Sequence, residues 1–107
     1  MRIVVALALL GLSLAVQARG DADKGKAKAA QVCGACHGAD GNKPVAPDQP
    51  ILAGQYYDYL VRAITDYKIG RRNNPIMKGF AGQLSRQDIE DLAAWFASQR
   101  SGLHDQR

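Results

Sequence analysis

Sulfur and imidazole are scarce in this chain, which holds two cysteines, two methionines and two histidines among 107 residues. Two cysteines cannot build the multi-bridge framework of a small secreted domain. They sit too close together, with two residues between them, for a structural disulfide to close more than a small loop. Half a zinc site would need further cysteine or histidine ligands at short spacing, and only His104 remains, near the C-terminus. Strand signals are absent as well. No segment alternates convincingly, so the βαβ setting of a thioredoxin-like redox pair is missing. Internal repeats, low-complexity runs and linkers are lacking, which argues for one domain. Neither sign of charge dominates: 14 basic residues face 10 acidic ones, a formal net charge of +4. The lysines are not interleaved with aromatics in a run, so nucleic-acid binding is not suggested.

One continuous apolar stretch exists, Ile3 to Val16, preceded by Arg2. It is short for a membrane span of about 20 residues. A positive start, an apolar middle and the small-residue end Val16-Gln17-Ala18 read as a secretory signal peptide over 1–18. No cysteine near that site suggests a lipoprotein. Residues 19–107 then form a single exported domain of about 89 residues, near the size where a polypeptide core alone is marginal. No stable membrane insertion is expected after cleavage. A domain this small ordinarily needs a disulfide, a metal or a comparable staple.

The two cysteines lie in Cys33-Gly34-Ala35-Cys36-His37. A C-x-x-C-H run is the attachment site of a c-type haem. One tight helical turn sets both sulfurs along a single haem edge, where they add to the vinyl groups as thioethers. The adjacent histidine then reaches the iron as proximal ligand. Both thiols are used, so the chain has one covalent haem, the apolar staple that its size calls for.

Three helices are expected around it. The first runs from Asp23 to Val32, capped by Asp21 or Asp23, with Gly25, Ala29 and Val32 on one face. A loop rich in Gly, Asp, Asn and Pro covers Gly38 to Pro50. The second helix spans Gln55 to Lys68, with Tyr56, Leu60, Ile64 and Tyr67 at helical spacing, and Gly70 stops it. The third starts at Ser85 with Asp88 in an acidic capping box, and stops at Gly102. Its Ile89, Leu92, Ala93 and Phe96 form a buried stripe. Leu60, Ile64, Leu92 and Phe96 are expected core.

What faces the iron's other side decides between electron transfer and small-molecule binding. Beyond the leader there is one methionine, Met77, in the loop Asn73–Phe80 between the second and third helices. It lies outside both apolar stripes, beside the stiffening Pro75, and is the expected second ligand. His104 would have to bring the tail across the haem, and Lys78 would first have to lose its proton.

Cys33-Gly34-Ala35-Cys36-His37-Gly38, Pro50-Ile51-Leu52-Ala53-Gly54-Gln55, the Arg-rich turn before Met77, and Leu84-Ser85 with Asp88-Ile89 resemble the class I bacterial cytochromes c. The short periplasmic branch, similar to one half of its dihaem members, fits best over essentially all of 19–107. The resemblance implies an all-α small cytochrome c fold with three main helices wrapped around one covalently bound haem. It implies thioethers at Cys33 and Cys36, axial ligands His37 and Met77, and a Pro50 carbonyl that accepts the proximal histidine's Nδ1–H. Leu52 would touch the haem plane, and Gly25 and Ala29 would meet Leu92 and Trp95 at a helix crossing. Arg71 and Asn73 are candidates for the haem propionates, and Tyr57 and Tyr67 for hydrogen bonds near the haem.

The implied function is a soluble, monomeric, periplasmic single-electron carrier that docks transiently on donor and acceptor redox proteins. An electron-transfer subunit bound to a dehydrogenase or terminal oxidase is the alternative. A haem peroxidase or gas-binding protein stands further off, because no distal histidine is present and Met77 would block the site.

Overall fold

Five helices and no strands make up the described residues, Ile3 and 19–100 of this computed structural model. The expected leader, Ile3 apart, lies outside them, as do Gly102 and His104. Helix α1 (Ala22–Val32) is capped by Asp21, whose carboxylate accepts the N–H groups of Asp23 at 2.9 Å and Lys24 at 3.2 Å. That settles the choice between the two aspartates. The haem motif follows as a single turn, α2 (Gly34–His37). Helix α3 (Tyr57–Ile69) starts two residues later than Gln55 and ends on Gly70 in the left-handed conformation.

Two expectations in the C-terminal half need correction. Met77 does not lie in a loop but in a short helix, α4 (Pro75–Ala81). Asn74 caps it and Pro75 occupies its first turn, where a missing N–H costs nothing. The last helix, α5 (Arg86–Ala97), ends before Gly102. Ser98 Oγ and Gln99 Nε2 both donate to the Trp95 carbonyl, at 2.7 and 3.1 Å, which satisfies an end that glycine was expected to close.

At its start α5 has a complete capping box: Asp88 N–H donates to Ser85 Oγ at 3.0 Å, and Ser85 N–H to the Asp88 carboxylate at 2.9 Å. The Ser85 backbone bond, aided by the Ser85 hydroxyl and Lys28, holds the Asp88 carboxyl below its ordinary value of 3.8. Asp40 is lowered likewise, chiefly by the Asn42 backbone N–H. A folded-state pKa that is depressed adds stability above the unfolded value and loses it as pH falls through the folded one. Urea midpoints are therefore expected to drop below about pH 4, and to drop less in Asp88→Asn. An equal drop in the variant contradicts the assignment.

The core is small. Ala29, Leu60, Leu84, Ile89, Leu92, Ala93 and Phe96 are buried together, with Ile64 and Trp95 half-buried against them. Tyr56, expected on the apolar stripe of α3, is instead exposed. Helix α1 crosses α5, and α3 packs on both α5 and α4. The crossing is close because Gly25 sits in it. A Cβ at Gly25 would stand 1.9 Å from the Asp91 carbonyl oxygen and 2.9 Å from Trp95 Cβ. Asp91 itself is 5% exposed and accepts from Asp21 N–H at 2.7 Å and Gln87 Nε2 at 2.8 Å. This buried carboxylate thus ties the start of α1 to α5, a polar link that the apolar stripe around it gave no reason to expect.

Candidate haem site

Cys33 ends α1 and caps α2, so the two thiols are presented by consecutive helical turns. Both are free. Burial, with Cys36 second, pushes the Cys33 thiol up to about 11. An environment that so disfavours thiolate suits a neutral sulfur, which a thioether always is.

His37 is 6% exposed. The following loop is stitched back onto α2: Lys43 N–H donates to the His37 carbonyl at 3.2 Å, and Val45 N–H to the Cys36 carbonyl at 3.0 Å. Further along, Leu52 N–H donates to the Gly41 carbonyl at 2.9 Å, and the Leu52 side chain packs against the core. The fold-back sets the Pro50 carbonyl oxygen 2.9 Å from His37 Nδ1. A carbonyl can only accept, so Nδ1 bears the proton and Nε2 keeps its lone pair on the opposite side of the ring. Such a bond orients a ligating imidazole and raises its basicity.

Met77 is half-buried on the first turn of α4. Its N–H and that of Ile76 both donate to Asn74 Oδ1 at 3.1 Å, which holds the turn in place. Lys78 turns away: its Nζ lies 3.5 Å from the point where a Cβ on Gly70 would stand, at the C-terminal end of α3. A cation there meets the negative end of the helix dipole.

Large apolar side chains are left uncovered next to Pro50 in the chain and on the helix that bears Met77. Ile51 is 40%, Ile76 69% and Phe80 42% exposed. With a protein core this small, such surface calls for a large apolar partner. The donor set, a soft thioether and an imidazole, with two unpaired thiols, fits a haem.

The remaining expected residues scatter. Arg71 is exposed and lines a groove on α3 and α5 with Asp58 and Glu90. Asn73 is exposed on the turn before α4. Tyr57 Oη accepts from Gly20 N–H at 3.3 Å, and the Arg19 guanidinium covers its ring at 5.1 Å, so it serves the start of the domain. Tyr67 is covered by Arg72 at 4.6 Å.

Among the described residues, an all-helical domain with a C-x-x-C-H turn, an oriented His37 imidazole and an uncovered apolar surface is a c-type haem-binding domain in class. The cytochrome c family profile matches residues 22–100, and the chain belongs to that family. It therefore holds one covalent haem c. Cytochrome c4 of Pseudomonas aeruginosa is 53% identical over 103 residues, covering 95% of this chain and 50% of that protein. Cytochrome c-554(548) of Halomonas halodenitrificans is 43% identical over 83 residues, which cover 75% of this chain and 98% of the relative. The crystal structure of reduced recombinant cytochrome c4 from Pseudomonas stutzeri superposes with a TM-score of 0.69 at 47% identity, over 76% of this chain and 46% of that one. The chain thus spans about half the length of the cytochromes c4 it matches. No helix among the described residues is long and apolar enough to cross a membrane.

Proposed function

We propose that this protein is a periplasmic one-electron carrier whose haem is tethered by Cys33 and Cys36 and ligated by His37 and Met77. The bound haem supplies Fe(III)/Fe(II) chemistry. The observation that supports the reading most is the His37 Nδ1–Pro50 carbonyl bond at 2.9 Å, which commits Nε2 as a donor. Met77 offers a thioether from a capped turn, and a methionine ligand favours the reduced state. Because Asn74 and Pro50 fix the two ligand segments from the backbone, little has to rearrange when the charge changes. Leu52 contributes apolar contact, and the exposed turn before α4 offers Arg71 and Asn73 to the propionates. Residues 1–18 serve as the cleaved export signal, and residues 19–107 as the working domain.

Docking on donor and acceptor proteins is brief, as redox encounters generally are. A basic excess of charge steers acidic partners, with an on-rate that falls as salt rises. The carrier works as a monomer. Reaction of the reduced holoprotein with carbon monoxide tests the closed site: an iron held on both faces does not take up the gas promptly, and an open one does.

A further inference from the structure

Beside the haem-attachment turn, α1, the loop after His37 and the end of α5 enclose a groove of about 430 Å³. Its walls include Lys26, Ala30, Ala39, Lys43, Trp95 and Gln99. We propose that this groove docks an acidic segment of the redox partner, seating a carboxylate between Lys26 and Lys43 and an apolar neighbour against Trp95. The inference rests on the electron-carrier reading and names the partner chemistry that it requires.

The walls are already set. Trp95 Nε1–H donates to the Ala39 carbonyl at 2.9 Å, and the loop is pinned to α2 by the Lys43 and Val45 amides. A groove held in its bound shape loses little entropy on binding. Lys26 Nζ stands 5.6 Å from the Trp95 ring centroid, so a cation rides on the aromatic wall. The acidic side chain in the lining is Asp40, and its carboxylate is occupied: Oδ1 accepts Asn42 N–H at 2.9 Å and Oδ2 accepts Asn42 Nδ2 at 3.4 Å. Lys43 lies near enough to favour its ionised form. Neither Lys26 nor Lys43 forms an ion pair among the described residues.

The groove on α3 and α5 differs. There Asp58, Asp66 and Glu90 accompany Arg62 and Arg71, with Arg62–Asp66 and Arg86–Glu90 pairs at its edge. Charges balanced in that way select no sign. The Trp95 groove sets two lysines against one carboxylate, a net positive lining, and its Ala39 wall is two residues from the proximal ligand His37. A partner seated there rests against the backbone that bears the ligand.

The test uses reduced, ¹⁵N-labelled holoprotein titrated with a short acetylated peptide of Glu and Leu, and with a control in which Gln replaces Glu. Trp95 is the chain's one tryptophan, so its indole N–H is a single, unambiguous reporter. Saturable shifts are expected at that resonance and at the Ala39 and Lys43 amides. Charge reversal in the exposed pair Lys26→Glu and Lys43→Glu is expected to weaken binding about tenfold or more. Shifts confined to Ile51, Ile76 and Phe80, equal binding of the Gln control, or indifference to charge reversal overturns the proposal. This readout needs no electron to move, so it fails independently of the carbon monoxide test.

Discussion

Met77→Ala is expected to lower the midpoint potential by a few tenths of a volt, inside the roughly 0.8 V that axial ligands command. A methionine opposite histidine raises the potential because the soft sulfur stabilises the ferrous state more than the ferric. Its removal leaves water or nothing on that face, and the ferric state gains. The substitution isolates the ligand from the fold. Asn74 caps α4 through its bonds to the Ile76 and Met77 amides, and these bonds survive any side chain at position 77. Alanine is also the best helix former, so the turn is not weakened. Spectroelectrochemical titration of both proteins reads the difference. A potential unchanged within measurement error removes Met77 from the iron.

Gly25→Val is expected to be the most damaging change away from the haem. Its Cβ would fall 1.9 Å from the Asp91 carbonyl oxygen, a backbone atom of the facing helix that cannot swing aside. Overpacking of a tight interior costs about 1–3 kcal/mol and at times more. Here α1 must withdraw from α5, and the Asp21–Asp91 bond at 2.7 Å stretches with it. A loss of about 3 kcal/mol would lower the melting temperature of a domain this size by roughly 12–24 °C. Gly25→Ala, which has the same Cβ, is expected to lose most of that stability despite its better helix propensity. Lys24→Ala, at an exposed position of the same helix, is expected to change little. Thermal melts that rank the three otherwise would contradict the crossing geometry.

The fold was largely legible because its signals are local. Ser85 with Asp88, Gly70, and the stripe Ile89, Leu92, Ala93 and Phe96 each specify their element through nearest neighbours. The attachment turn was equally plain, since Cys33, Cys36 and His37 are contiguous and their spacing is itself the geometry. The face shared by Gly25 and Ala29 showed in the spacing, whereas the close crossing there and the helix it meets came from the family resemblance.

What escaped was non-local or of low contrast. The helix around Met77 is seven residues long and contains Gly79, too short and too poor in helix formers to show a period. Asn74-Pro75 was its one signal, a cap followed by a first-turn proline. The end of α5 depended on Ser98 and Gln99 folding back on Trp95, a choice that no glycine announces. Asp91 carries no local signal of its role, because its partner Asp21 is 70 residues away. The Trp95–Ala39 bond, spanning 56 residues, was invisible for the same reason, and with it the basic groove beside the haem turn.

The measurement that bears most directly on a closed, histidine- and methionine-ligated carrier is the absorption spectrum of the reduced holoprotein before and after exposure to carbon monoxide. The expected result is an unshifted spectrum, with a methionine–iron charge-transfer band in the oxidised protein that disappears in Met77→Ala. Prompt formation of a carbon monoxide adduct by the unmodified protein, with no such band, would contradict the account and make the iron a site for binding small molecules.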